Sequence, residues 1–360
     1  MSRVVSYPHL AHYGVAFRPV AAMLGDVLSP PPMTQRTLAL GAANSPEAAC
    51  LPFKLTLGNF IESLDAGADL LLQAGGGCRL GYYGEVQEQI LRDLGYRDFE
   101  LLSITTANAG SLRALARTFK RANPRLTYRA MSRAVTLAGR KLQLLDDALD
   151  RARRLHVHAL DHEGFERVVT AFVRSLDEAE DATAAEAVAE RFGRELAEAA
   201  PHRAHAALRV GVVGEFYAAV EPSANHGLDR ELARFGAEVF RPVTLSAVLD
   251  LDFGGPSHMR KLLDDAAPYL RFEVGTDGTK AVAYANRFQR DGFDGVVHVR
   301  PFGCIPEVNV LPAMQRLSRE QAFPILSLSL DTQVSDVGMR TRVEAFCDML
   351  RLRRAARASG

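Results

Sequence analysis

Residues 44–95 read N-S-P-E-A-A-C-L-P-F-K-L-T-L-G-N-F-I-E and, after a short spacer, L-L-L-Q-A-G-G-G-C-R-L-G-Y-Y-G-E-V-Q-E-Q-I-L-R-D-L-G. The run after Cys50 carries apolar residues at helical spacing. A helix start there offers unpaired N–H groups and a partial positive charge, which favour a thiolate. Residues 68–73, A-D-L-L-L-Q, form a short apolar run that predicts a buried strand. Gly75, Gly76 and Gly77 follow and permit positive φ and close backbone approach. Residues 82–94 then return to a helical pattern. Cys78 therefore falls on a strand–turn–helix corner, where open α/β sheets place their ligands.

A third cysteine repeats this arrangement. In G-V-V-H-V-R-P-F-G-C-I-P-E, residues 295–299 predict a strand. A Pro/Gly turn, Cys304, and a helix opened by Pro306 and Glu307 follow. Three cysteines at equivalent corners either converge on one metal centre or serve as small core hydrophobes, and no Cys-x-x-Cys spacing decides for a metal. The fourth, Cys347, lies inside a closing helical pattern beside Phe346, Met349 and Leu350 and reads as core packing.

With 360 residues the chain is long enough for two or three domains and a large core. Its 48% hydrophobic and 24% charged residues are those of a soluble globular protein. Lys plus Arg equals Asp plus Glu at 43 each, so no global charge argues for nucleic acid or an anionic membrane. Four cysteines without close spacing do not read as a secreted disulfide framework, and no leader pattern or membrane-length apolar run is seen. The expectation is a cytoplasmic protein with no nucleic-acid or membrane partner.

The chain opens with a strand ending at Pro8 and His9, a helix over residues 15–24, a short strand and the turn Ser29-Pro30-Pro31-Pro32; residues 33–41 are ambiguous. F-E-L-L-S-I-T, residues 99–105, adds a strand. Alternating strands and helices predict a parallel sheet. From about residue 111 to 207 the strand signal disappears. Helical patterns run over 132–154, 165–176 and 178–200, the last stopped by Pro201. The predicted organisation is an N-terminal α/β domain (1–108), a helical insert (109–207) and a C-terminal α/β domain (208–360). H-V-H-A-L-D-H-E in the insert sets His158 and His162 four apart near Asp161. On a helix that spacing suits a divalent metal, but a solvated helix face is the plainer reading, here and for His202 and His205.

The second half begins with the strand R-V-G-V-V-G-E-F-Y, continues through a loop containing E-P-S-A-N-H to a helix from about Gly227, and adds the strand A-E-V-F-R-P-V. Gly211 and Gly214 lack the third glycine of a dinucleotide fingerprint, and no P-loop sequence occurs. V-G-T-D-G-T, residues 274–279, reads as a loop, F-P-I-L-S-L-S-L-D as a buried strand, and residues 341–354 as the closing helix. Arg79, Tyr82, Tyr83, Glu215, Glu221, Asn225, His226, His298 and Glu307 stand near corners and fit either structural or ligand-facing roles.

The cysteine-bearing segments at 44–62, 73–87 and 295–307, with V-G-V-V-G-E-F-Y and E-P-S-A-N-H, together resemble the 2-hydroxyacyl-CoA dehydratase-like family, in its branch of acyl-CoA dehydratase activase-related proteins. The resemblance spans the chain and is weakest in the helical insert. It implies two Rossmann-like parallel-sheet domains facing each other across a cluster site, with the helical insert between them. It implies an iron–sulfur cluster, [4Fe-4S], held by Cys50, Cys78 and Cys304 with one iron open. It further implies low-potential electrons from a separate ATP-dependent activase of actin/hexokinase fold, an acyl-CoA or other small molecule as substrate, and a homo- or hetero-dimer. Redox reduction, 2-hydroxyacyl-CoA dehydration and a cluster-free binding or scaffold role are the activities in contention. The chain departs from the family in D-T-Q-V-S-D-V-G, residues 331–338, and in V-G-T-D-G-T, and both departures bear on the substrate site rather than on the cluster.

Overall fold

The computed structural model describes residues 3–75, 82–105, 112–201, 207–253 and 256–359. The chain divides into two compact units, residues 1–145 with 176–186, and residues 146–175 with 187–360. Each contains a four-stranded sheet in which every described strand pair is parallel. The protein is α/β, with two Rossmann-like sheets.

The first unit runs β1 (Val4–Ser6), α1 (Gly14–Ala21), β2 (Asp26–Val27), α2 (Gln35–Asn44), α3 (Leu51–Asp65), β3 (Leu70–Gly75), α4 (Tyr83–Asp93), β4 (Glu100–Thr105) and α5 (Leu112–Ala122). Its sheet order is β2-β1-β3-β4. Strand β3 shows why both faces are covered. Leu70 and Leu72 pack with Val5, Leu102 and Phe119 on one side, whereas Leu71 packs with Phe53, Phe60 and Leu91 on the other. That is the two-residue period of a strand buried on both faces. Residues 33–41, ambiguous in sequence, belong largely to α2, because Thr34 and Thr37 form a reciprocal capping box at its start.

Three long helices follow: α6 (Tyr128–Leu155), α7 (His162–Glu178) and α8 (Ala182–Ala199). Their residues are divided between the two units. The described residues from 112 to 201 contain no strand, as the loss of period-two patterning predicts. His158 and His162 do not share a helical face. Residues His156–His158 form a 3-10 turn that ends α6, and His162 opens α7. His158 is buried and its Nε2 lies 3.0 Å from Glu238 Oε1, so it has a structural partner instead of a metal face. His202 and His205 lie outside the described residues.

The second unit continues with β5 (Leu208–Gly214), α9 (Phe216–Val220), α10 (Pro222–Asn225), α11 (Leu228–Arg234), β6 (Ala237–Phe240), α12 (Leu245–Phe253), α13 (Pro256–Ala266), α14 (Thr276–Arg290), β7 (Gly295–Pro301), α15 (Ile305–Asn309), α16 (Leu311–Glu320), β8 (Ile325–Leu330) and α17 (Asp336–Ser359). Its sheet order, β6-β5-β7-β8, repeats that of the first unit. A core of Val213, Val296, Ala283, Leu317 and Phe323 fills one side of the sheet. Two sequence readings differ from the structure here. The stretch 216–225 is two single-turn helices rather than a loop, because Glu215 and Glu221 each cap one. Residues 276–279 are the first turn of α14 rather than a loop, held by Thr279 Oγ1, which accepts a bond from the Val274 N–H. Among the described residues no helix is long and apolar enough to cross a membrane.

In the first unit, α2 and α3 cross with backbone against backbone. A Cβ added at Gly41 would lie 1.7 Å from the Lys54 carbonyl oxygen, and one at Gly58 would lie 1.9 Å from that of Thr37. Neither obstacle is a side chain that can swing away. Gly58→Ala is therefore expected to destabilise the first unit by about 2 kcal/mol, overpacking outweighing the helix-propensity gain of alanine. Gly139→Ala, whose Cβ meets open space on α6, should instead stabilise by up to about 1 kcal/mol. Urea unfolding followed by circular dichroism checks both, and equal effects would refute the close-crossing account.

Candidate functional site

In both sheets the strand order reverses direction at one point, between β1 and β3 and between β5 and β7. Successive crossovers leave on opposite sides there, which opens a crevice at the carboxyl ends of the strands. Cys304 and Cys50 belong to this edge. Cys304 is the N-cap of α15, three residues beyond the end of β7, with extended φ and ψ and Pro306 in the first turn of the helix. Cys78 stands at the same offset beyond β3 in sequence, but it and Arg79 lie outside the described residues.

Cys50 is the N-cap of α3, again extended and again followed by a proline in the first turn. Because α3 delivers the chain to the start of β3, its own N-terminus is at the opposite, carboxyl edge. Side-chain contacts fix that placement. Cys50 Sγ is in hydrogen-bond contact with the hydroxyl of Tyr83, the first residue of α4, which leaves the β3 corner. The Tyr83 ring packs edge-to-face on Phe53 of α3 at 5.2 Å between centroids. Deeper, Gln73 of β3 donates to Gln87 of α4 at 2.9 Å, and Gln87 donates to Thr56 Oγ1 of α3 at 2.7 Å. Both glutamines are buried, so this satisfied network locks strand and helices together where a broken one would be costly.

Cys50 and Cys304 are both half-buried, whereas Cys347 has no exposed surface. Burial pushes the Cys347 thiol up to about 12, so it stays protonated and acts as core packing. Among the described residues, no three His, Cys, Asp or Glu side chains gather so as to hold a metal ion.

No family model matches this chain, and no curated protein does. Among solved structures it matches the substrate-binding protein FpvC from Pseudomonas aeruginosa in complex with Mn2+, at 16% identity over 100% of this chain and 99% of that one, with a TM-score of 0.23. A superposition that loose bears on neither fold nor function.

The carboxyl edge of the second sheet also gathers acids. Glu215, directly after β5, accepts bonds from the N–H groups of Tyr217 at 3.1 Å and Ala218 at 2.8 Å. Asp277 of α14 accepts from the Phe216 N–H at 3.2 Å and from Lys280 Nζ at 3.1 Å. Glu307 of α15 has no exposed surface, and its Oε2 lies 2.5 Å from Nε2 of the equally buried His298 on β7. Its other oxygen, Oε1, is buried and has no hydrogen-bond partner among the described residues. Helices α14 and α15 pack closely against each other here, since a Cβ on Gly278 would come within 2.6 Å of the Pro306 carbonyl oxygen.

Loss of water, with a smaller push from Asp277, raises the Glu215 carboxyl to about 8, against the pull of its two N–H donors. Burial also raises Glu307, reinforced by Asp277 and opposed by His298 and Arg300. The edge can therefore hold a proton on a carboxyl near neutral pH, as acid catalysis requires. Sequence reading named Glu215, His298 and Glu307 but passed over Asp277 and Lys280, whose signal was their i,i+3 spacing in T-D-G-T-K. The remaining ambiguous residues of E-P-S-A-N-H are structural. Glu221 caps α10, Asn225 bonds the carbonyls of Ala218 and Ala219, and His226 takes a left-handed turn with Nδ1 at 2.6 Å from Asp336.

A raised carboxyl has a defined pH signature. Below the ordinary value near 4.5, Glu215 is protonated in both folded and unfolded chains; above it, the unfolded chain ionises first and folding loses stability until about pH 8. Glu215→Gln, neutral throughout, escapes that loss. Its stability relative to the wild type should rise between pH 4.5 and 8 and level off above. Urea unfolding across that range is the measurement, and a difference independent of pH would refute the assignment.

Proposed function

We propose that this chain is an iron–sulfur redox protein, with Cys50, Cys78 and Cys304 as thiolate ligands, that accepts low-potential electrons from a separate ATP-dependent activase and passes them to a small-molecule substrate or a partner. One observation carries the reading. Cys50 and Cys304 occupy the same local structure in the two units: N-cap of a helix, half-buried, followed by a proline in the first turn, at the carboxyl edge of a parallel sheet. Core thiols have no reason to recur in that setting, and Cys347 shows what a core thiol looks like in this chain.

The donor chemistry fits the group. Thiolates are the ligands of iron–sulfur clusters, and three of them leave one iron open. Helix N-termini supply N–H groups and partial positive charge to sulfurs that carry negative charge. When bound, the cluster supplies one-electron redox chemistry, and an open iron supplies a site for an oxygen or sulfur donor. The chain's own contribution in the first unit is to hold the Cys50 sulfur at the start of a helix that the Gln73–Gln87–Thr56 bonds and the α2–α3 crossing make rigid. Burial also raises the Glu215 carboxyl to about 8 at the carboxyl edge of the second sheet, so that it could give a proton to a substrate hydroxyl leaving as water or to a product gaining hydrogen.

Anaerobic reconstitution with iron and sulfide tests the reading by iron per chain and EPR of the reduced state. Cys50→Ala, Cys78→Ala and Cys304→Ala should each abolish or deplete the cluster. Cys347→Ala should keep full iron and lose only modest stability. Equal iron loss in all four variants would overturn the ligand set, and an iron-free wild type would favour a cluster-free binding protein. Water elimination from a 2-hydroxyacyl-CoA in the presence of the activase would identify a dehydratase subunit.

A further inference from the structure

We infer that the Tyr83 hydroxyl is a positioning group for the Cys50 sulfur, donating a hydrogen bond that holds the side chain in place and stabilises negative charge on it. The inference rests on the reading of Cys50 as a ligand but is carried by a separate contact. Cys50 Sγ meets Tyr83 Oη across a gap of 33 residues in sequence, between the start of α3 and the start of α4. A sulfur that has lost its proton to solvent, whether free or on binding a metal, can only accept, so the phenol is then the donor.

The rest of the tyrosine is held independently of the sulfur. Its ring packs on Phe53, and its helix is tied to β3 and α3 by the buried glutamines. The hydroxyl therefore does not have to seek the sulfur: the surrounding packing delivers it, at little cost in side-chain entropy. Tyr82, next in sequence, is 69% exposed and turned to solvent, so two adjacent phenols have sharply different surroundings. A donor fixed on a ligating sulfur draws charge from the sulfur–metal bond and favours the reduced state, because hydrogen bonds to cluster sulfurs raise the reduction potential.

Tyr83→Phe keeps the ring on Phe53 and removes only the O–H, and Tyr82→Phe removes a phenol from the neighbouring position. Both are reconstituted as full chains under anaerobic conditions and titrated electrochemically, with iron per chain measured alongside. The expected result is wild-type iron content in both, a more negative midpoint potential in Tyr83→Phe alone, and an unchanged potential in Tyr82→Phe. A Tyr83→Phe potential equal to the wild type at full iron overturns the inference while leaving the ligand reading intact. An iron-free wild type overturns the ligand reading, and a second arm on the apo chain then decides the inference.

In that arm Cys50 is alkylated with iodoacetamide at fixed pH and followed by peptide mass spectrometry. Loss of the donor should slow Cys50 in Tyr83→Phe, because thiolate fraction falls faster than intrinsic nucleophilicity rises; a tenfold loss of thiolate gives about threefold slower alkylation. Cys304 in the same samples serves as the internal standard. A Cys50 rate unchanged or raised relative to Cys304 in Tyr83→Phe would overturn the inference in the apo chain.

Discussion

Everything in each unit depends on one constraint: parallel strands cannot be joined by a tight turn, so each connection must cross the sheet as a helix. With the order second–first–third–fourth, the crossovers divide at the boundary between the first and third strands. Helix starts and strand ends then collect at one edge of the sheet, and that edge is where N–H groups lack partners. Thiols, carboxyls and glycines occupy it here because the backbone there has bonding capacity left over. Glu215 and Glu221 spend theirs on capping short helices, whereas Cys50 and Cys304, at equivalent caps, make no side-chain bond to the following turn.

Much of this architecture was legible in the sequence, for identifiable reasons. β3 and β7 announce themselves as short apolar runs leading into glycine-bearing stretches of sequence, and the loss of alternation after residue 111 marks the helical stretch. What the sequence obscured was local and polar. Residues 274–279 looked like a loop because two glycines outweigh the Thr279 side chain that closes the first turn of α14. His158 and His162 looked like a helical pair because nothing in the letters shows that α6 ends in a 3-10 turn between them. In the candidate site, the helix starts at Cys50 and Cys304 could be located from pattern alone. The Gln73–Gln87 bridge and the Tyr83 contact could not, since each joins residues 14 or more positions apart through side chains of unremarkable type.

The second unit combines a thiol corner with carboxyls that are reluctant to ionise, and the two properties have a common origin. Glu307, in the first turn of the helix that Cys304 caps, is cut off from water, and so is Glu215 directly after β5. Lys280 and His298 offset part of the charge by binding Asp277 and Glu307. The result is a pair of carboxyls, Glu215 and Glu307, that give up their protons less readily than exposed ones.

The crossing of α2 on α3 has a further meaning for how this unit can change. Most helix pairs are separated by side chains, so their spacing drifts as residues are exchanged and repacked. Here Gly41 and Gly58 let main chain rest on main chain, and the separation is set by atoms that every amino acid shares. Substitutions elsewhere on the two helices can alter polarity or volume but cannot retune that distance. The spacing of α2 from α3, the helix that Cys50 caps, is in this sense a fixed dimension of the scaffold, one that diversification of the surrounding surface leaves alone.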